Sequence, residues 1–382
     1  MNRGSGLIKF RGVLLAAFLS LLMSGVCLAR SELVEYGSPS SLAGFSLVHA
    51  RWDNKASGIV VDRSVGGVSP GGLLRGVVES PVVKAHAPFD HAIVSWNATA
   101  PVGSYLTVYM KARVDGSWTK WYKIALWNRR EQIWARTTYG RQGDSFVKVD
   151  TEVLKLRSLA NAFKVRVMLE STDGITFPVL RYLAVNLDNS KLWKEDMPPV
   201  QSAWGKELDI PYLCQLSVKG GWDLCSPTST AMVLGYWSKV LDRPDLAVGI
   251  TEAARACFDD DWGSTGNWSF NVAYAGSFLG IRAYVTRFTS ISQIEEWIAK
   301  DVPVIVALNY SRLNGGDNPN AGHLMVIRGF TKDGDVIFND PWARIDKGEK
   351  LRKVFTRADL ERGWLGPDGS YGTVYIIRPE TG

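Results

Sequence analysis

Leu224-Cys225-Ser226-Pro227-Thr228-Ser229-Thr230-Ala231-Met232-Val233-Leu234-Gly235-Tyr236-Trp237 reads as a buried helix with a cysteine at its start. Pro227 suits the first helical position, where its missing N–H would have no partner. Ser226, just before it, is placed to cap the first turn. Met232 with Tyr236, and Val233 with Trp237, repeat apolar residues at the helical interval of four. A thiol at the positive end of a helix dipole is favoured as thiolate, the nucleophilic form. The stretch nominates Cys225 as a nucleophile, against the ordinary reading of a free cysteine as a small buried hydrophobe.

A cysteine nucleophile needs a base, and the base needs an orienting acceptor. The sequence has four histidines. His49, His86 and His91 lie near one another in sequence without metal-ligand spacing. Only His323 lies on the C-terminal side of Cys225. It follows Gly322 and opens an apolar strand, which turns at Asp333-Gly334 and returns to Asp340, where Pro341 stops it. A two-residue turn there pairs Asp340 with Ile327, so a bulge, a wider turn or strong coiling must bring Asp340 to His323, or the assignment of Asp340 as orienter is wrong. A tetrahedral intermediate also needs donors for its oxyanion. The backbone N–H of Cys225 and the side-chain amide of Gln215 are the candidates. Cys214 competes as nucleophile, but it precedes a loop and does not open a helix.

The chain divides by pattern. Residues 1–29 read as a signal peptide: Arg3, Lys9 and Arg11, then an apolar run at 13–23, then Cys27-Leu28-Ala29 with cleavage after Ala29. The expected protein is exported, secreted or periplasmic, with no membrane span after cleavage. Residues 30–80 are rich in Gly, Ser and Val and read as an extended segment, with a glycine cluster at Gly66-Gly67 and Gly71-Gly72. Residues 81–190 alternate as strands. In Tyr105–Val114, Leu106, Val108, Met110, Ala112 and Val114 share one face, and Asp115-Gly116 is a hairpin turn. Phe163–Leu169 and Arg181–Leu187 are further strands, and a short helix is expected near Leu154 to Ala162. An antiparallel β-sandwich results. Its aromatics, Trp96, Trp118, Trp121, Tyr122, Trp127 and Trp134, read first as core; the other reading is a platform for cell-wall sugars. Residues 191–206 form a polar, proline-punctuated linker. Residues 207–380 mix helix and strand: a helix at Ile291–Lys300 capped by Ser290 or Ser292, and strands at Pro303–Leu308, His323–Phe330, Val336–Asp340 and Tyr371–Ile377. The fold class is α+β.

Charge and cysteines narrow the function. The formal net charge is +6, and removing the three positive charges of residues 1–29 leaves +3. With no basic stripe carrying interleaved aromatics, nucleic acid is not an expected partner. Without Cys27, three cysteines remain: Cys214, Cys225 and Cys257. An odd number in an exported protein points to a free thiol; one economical arrangement pairs Cys214 with Cys257. Asp259-Asp260-Asp261 reads as a solvated acidic loop, a cation site being the alternative. Asn267, Trp268 and Trp342 are candidates to line a cleft.

Gln215, Cys225-Ser226-Pro227-Thr228-Ser229, Gly322-His323 and Asn339-Asp340-Pro341 resemble the papain-like cysteine peptidases of the C-thirty-nine-like, bacteriocin-processing type. Where that family usually has Gly after the nucleophile, this chain has Ser226, as in an exported bacterial branch. It is similar to that branch also in Met232–Trp237, Thr265-Gly266-Asn267-Trp268, Phe89-Asp90 and Ser95-Trp96-Asn97-Ala98. The resemblance implies a papain-like domain with Cys225 as nucleophile, His323 as base and then acid, Asp340 as orienter and Gln215 in the oxyanion hole. It implies a peptide or protein substrate, and no cofactor or metal. Bacteriocin-leader peptidases are usually fused to a membrane-spanning ATP-driven exporter. This sequence carries neither part, so a double-glycine leader is not the expected substrate. The leading expectation is an exported cysteine peptidase. The alternatives are acyl transfer on the same thioester, as in a transpeptidase, and a non-catalytic cell-envelope binding protein that kept the fold.

Overall fold

The computed structural model describes residues 31–65, 74–128 and 136–380. The signal-like segment, the glycine cluster and Trp134 lie outside them. Among the described residues, no helix is long and apolar enough to cross a membrane.

Among the described residues, the N-terminal part is built of strands, with one 3-10 turn at Arg63–Val65. β1 (Ser31–Tyr36), β2 (Ser46–Val48), β3 (Ala50–Asp53), β4 (Gly58–Val61) and β5 (Arg75–Glu79) come first. β6 (Val83–Thr99), β7 (Ser104–Val114), β8 (Ser117–Trp118), β9 (Tyr122–Asn128) and β10 (Thr137–Thr138) follow. β11 (Val147–Asp150), β12 (Val153–Ser171) and β13 (Val179–Asp188) complete it. The main path through the sheet is β10-β9-β7-β12-β6-β13-β4-β3, and every pairing is antiparallel. One hydrogen-bond network joins all of them, because β12 is long enough to change partners along its length. Its start pairs with β11 and β6, its end with β7 and β5.

The alternation in β7 holds: Leu106, Val108, Met110, Ala112 and Val114 are all buried. Two expectations fail. Residues 31–79 are no loose segment, since they supply five strands, and β1 pairs along β13 over six residues. Leu154 to Ala162 is not helical but lies inside β12. In both stretches strand pairing overrides a weak local preference, because strand formation depends on the neighbours a segment packs against.

The C-terminal part carries α1 (Cys225–Leu241), α2 (Ile250–Cys257), α3 (Trp268–Ala275), α4 (Ile291–Ala299), α5 (Tyr310–Leu313) and α6 (Arg357–Trp364). Its strands are β14 (Ile281–Arg287), β15 (Val304–Asn309), β16 (Gly322–Phe330), β17 (Val336–Asn339), β18 (Arg352–Phe355) and β19 (Thr373–Pro379). They form an antiparallel sheet in the order β14-β19-β15-β16-β17-β18. Ser290 and Gln293 make a reciprocal capping box at α4, and Ile294 and Ile298 are fully buried beneath it. α1 packs against the sheet, and the indole of Trp237 donates to the carbonyl of Ile377 (2.7 Å).

β14 is an edge strand, and the N-terminal part covers its open side. Asn97 in β6 accepts from the N–H of Ala283 (3.0 Å) and donates to its carbonyl (2.7 Å). Ser95 accepts from the N–H of Val285 (2.9 Å), and Asn186 in β13 from that of Arg287 (3.1 Å). The polar groups of residues 283, 285 and 287, which face away from β19, are thus met by side chains from another sheet. Unpaired edges invite association with other chains. The close approach continues at Gly276, where a Cβ would stand 2.1 Å from the Asn97 side chain. Beside it, Trp96 of the N-terminal part meets Phe270 of α3 edge-on at 6.2 Å, and Trp127 meets it in a tilted contact at 5.5 Å.

The chain between β13 and α1 runs through a short 3-10 helix at Gln201–Ala203 and is held in place. The N–H of Val200 and the indole of Trp204 both donate to Glu295, fully buried in α4 (2.7 Å each).

Asn97→Ala leaves a buried N–H and carbonyl of Ala283 without partners. It is expected to lower unfolding free energy by about 2–4 kcal/mol, measured by urea denaturation. A loss under about 0.5 kcal/mol would show that the capping contributes nothing.

Candidate active site

The helix carrying Cys225 begins at that residue, and the expected cap is corrected. Leu224 occupies the cap position without a side-chain bond. Ser226 is fully buried, its hydroxyl 3.0 Å from that of Tyr375. Pro227 therefore sits third in the helix; it is tolerated there because N–H groups of the first turn have no intrahelical acceptor. Cys225, partly exposed, is at the N-terminus of α1.

His323 meets Asp340 through two register shifts. The turn before β17 is wider than two residues: the N–H of Thr331 bonds to the carbonyl of Asp335 (2.8 Å), leaving three residues between them. A bulge then places Arg328 unpaired between Ile327↔Phe338 and Gly329↔Ile337. Each shift alone would turn Asp340 to the other face of the sheet. Together they restore the face and bring Asp340 two residues nearer: Asn339 pairs with Val326, so the next position lies opposite Met325. Asp340 is then a diagonal neighbour of His323, a separation long side chains can bridge. The imidazole Nε2 lies 2.8 Å from the Asp340 carboxylate. Arg328 fixes the bulge by donating to Asn339 (2.8 Å) and lying over Tyr212.

Asp340 is fully buried. Its Oδ1 also accepts from the N–H of Trp342 (2.9 Å); Oδ2 accepts from the Tyr310 hydroxyl (3.1 Å) and lies 2.8 Å from the Lys353 ammonium. Burial opposes its charge, but the bonds from His323 and Lys353 prevail and hold the carboxyl below the usual range. Tyr310 stands edge-on to the His323 ring at 5.1 Å. Burial likewise disfavours a charged His323, yet its hydrogen bond with Asp340 and the neighbouring Cys225 raise its pKa to about 9. The imidazolium persists at neutral pH beside the Cys225 sulfur. Sequence reasoning missed Lys353 and Tyr310, which no local pattern marks.

Gln215 is buried. Its N–H donates to the carbonyl of Pro341 (2.9 Å), tying it to the segment of Asp340. Its Nε2 donates to Gly221 (2.7 Å), while Oε1 has no partner. An amide nitrogen carries two hydrogens, so one remains beyond the bond to Gly221. The three cysteines are free, so the Cys214–Cys257 pairing is not formed. Cys214 is buried and its thiol donates to the carbonyl of Ala343 (3.3 Å). The buried Cys257 thiol is pushed up to about 12. Neither is poised as a nucleophile.

Cys225, His323 and Gln215 line a cleft of about 950 Å³. Trp268 and Trp342 also line it. Asn267 instead caps α3 by accepting from Phe270 (2.9 Å). Asp259 is not solvated: it is fully buried and accepts from Thr138, Asn267 and the N–H of Asp261. Among the described residues no cluster of His, Cys, Asp or Glu could hold a metal. Trp96, Tyr122 and Trp127 are core, as expected; Trp118 and Trp121 are half-buried, with the Lys111 ammonium 4.8 Å from each ring.

The N-terminal part reaches this cleft. Glu152, at the start of β12's approach, lines it and accepts from the N–H of Trp268 (2.7 Å). Burial raises its pKa to about 8, aided by Asp259 and Asp150. Sequence reasoning did not single it out.

A helix-borne cysteine over an antiparallel sheet, with histidine and aspartate from adjacent strand positions, places the C-terminal part among peptidase-type folds. Residues 207–366 match the profile of the Peptidase C39 like family, and residues 48–187 that of the Peptidase C39 N-terminal domain. Both matches are to C39-type peptidase models, one for each part of the chain. A solved structure from Bacillus anthracis, described as a C39-like peptidase, is similar at 16% identity and a TM-score of 0.33, covering 48% of this chain and 98% of that one. A likeness at that score carries no further argument. No curated protein matches the chain.

Two pH effects follow. The His323–Asp340 interaction contributes fully to stability below the ordinary imidazole pKa of 6.5 and is lost as pH rises through about 9. Alkylation of Cys225 by iodoacetamide should show a limb near pH 9 in wild type that moves down in Asp340→Asn; an unmoved limb would separate Asp340 from His323. Glu152 has the opposite chemistry: its protonated form is favoured by folding, so stability falls as pH rises from 4.5 through about 8. Glu152→Gln should therefore lose less melting temperature than wild type between pH 6 and 9, read by thermal denaturation.

Proposed function

We propose that the chain is an exported cysteine peptidase that hydrolyses peptide or amide bonds. The observation that carries this reading is the buried His323 imidazole, 2.8 Å from the Asp340 carboxylate and lining one cleft with Cys225. The Cys225 sulfur attacks the carbonyl carbon, forming a C–S bond. The oxyanion is received by the Cys225 backbone N–H and the remaining N–H of Gln215 Nε2. His323 gives its proton to the departing amine as the C–N bond breaks, leaving a thioester. Water then attacks, with His323 taking its proton, and the C–S bond breaks. Asp340 keeps the imidazole oriented and stabilises its charge.

The proposal includes a papain-like arrangement of the C-terminal domain and a two-layered sandwich in the N-terminal one. Domain limits of 81–190 and 207–380, joined by 191–206, belong to it, with residues 31–80 added to the first. Export rests on the signal-like residues 1–29.

A thiol-directed activity probe tests the reading. Wild type should label, Cys225→Ala should not, and His323→Ala should label more slowly by about 10²–10⁴-fold. Gln215→Ala should keep labelling but lose about 10²–10³-fold in peptide turnover. Persistent labelling of Cys225→Ala, or none in wild type, would overturn the proposal.

A further inference from the structure

The cleft is built by both domains. From the N-terminal domain come Glu152 and Val153, with Asp150 and Lys155 at the same turn. From the C-terminal domain come Trp262 and Trp268. Trp262 is 49% exposed, a large apolar surface left in contact with water. Its ring packs closely over Gly266, where a Cβ would stand 2.9 Å from it. Trp268 is fixed through its N–H to Glu152 across the domain boundary (2.7 Å). A bulky exposed indole facing a cavity is suited to an apolar ring or branched side chain.

The basic groups of this wall are paired, while the exposed carboxylate of Asp223 accepts from the Ser264 hydroxyl (2.8 Å). Lys155 lies 2.6 Å from Asp150. Arg287, which also lines the cleft, is buried against Asp188 (2.7 Å) and His91 (2.8 Å). Glu152 is buried and its bond to Trp268 is satisfied. Among the described residues of this wall, Lys155 and Arg287 are both paired, so neither offers a free cation to an acidic side chain. Lys155 is the cation in direct contact with Asp150, with Lys148 and His91 acting on it from further off.

Resting on the cysteine peptidase reading, we propose that Trp262 and Trp268, with the Asp150–Lys155 turn of the N-terminal domain, form an interdomain subsite for an uncharged, bulky side chain of the peptide substrate. The N-terminal domain is then a determinant of specificity, and its turn excludes basic side chains by keeping Asp150 paired.

The experiment uses the full chain, as processed, on a proteome-derived library of short peptides, with cleavage sites read by mass spectrometry. Wild type should enrich Phe, Tyr, Trp, Leu or Met at one fixed position relative to the cut bond. Trp262→Ala should reduce that enrichment at least fivefold while preferences at other positions stay. Lys155→Ala, which removes the cation in direct contact with Asp150, should raise acceptance of Lys and Arg at the same position at least threefold. Both substitutions are at partly exposed side chains, and circular dichroism checks that each variant is folded. Cys225-dependent cleavage without a bulky-residue preference, or one unchanged in both variants, would overturn the subsite alone. No Cys225-dependent cleavage would overturn the peptidase reading and the subsite with it.

Discussion

The site depends on a matter of parity in one hairpin. His323 and Asp340 belong to neighbouring strands that meet far from either residue, at Lys332–Gly334. A wide turn moves the register by one residue and a bulge at Arg328 moves it by another. One shift would present Asp340 to the wrong side of the sheet; two present it to His323. The bulge is secured by Arg328 itself, through Asn339 and Tyr212. A residue that touches neither the cysteine nor the histidine thereby decides whether the two can work with an aspartate.

Once the register has brought Asp340 in, its burial must be compensated. A carboxylate removed from water is costly unless its oxygens are bonded and its charge matched. Asp340 has His323 and the N–H of Trp342 on one oxygen, and Tyr310 and Lys353 on the other. Lys353 comes from β18 and Tyr310 from α5, so three separate elements converge on one carboxylate. The same convergence holds the imidazole in one orientation, with Tyr310 edge-on to its ring. The charge on His323 is favoured by two partners and opposed by burial, and the partners prevail.

Cys225, His323, Asp340 and Gln215 were legible because each sits at a local landmark: a helix start, a strand start after glycine, a strand stop at proline, an upstream amide. The structure gathers Cys225, His323 and Gln215 along one cleft and sets Asp340 against His323 behind it. Arg328 as a bulge was not legible, because its anchors lie at Asn339 and Tyr212, and a local pattern holds no record of them. Lys353 and Glu152 escaped for the same reason; one is supplied by an edge strand, the other by a different domain. Local propensity misled at Leu154 to Ala162, where β11 and β6 impose extended backbone, and at residues 31–79, whose short strands gain their order from long neighbours. Ser226 was misread as a cap because the helix begins at Cys225 and the hydroxyl turns inward to Tyr375.

The receptors for β14 precede it in the chain. Ser95, Asn97 and Asn186 are made about a hundred to two hundred residues before the strand whose outer groups they meet, and domains of a growing chain tend to form in order from the N-terminus. The first domain thus presents a waiting mould for the edge of the second. An isolated C-terminal domain would finish folding with that border open, and the border is the kind of surface through which like chains stack into sheets. The N-terminal domain acts, in this sense, as a chaperone that is never released.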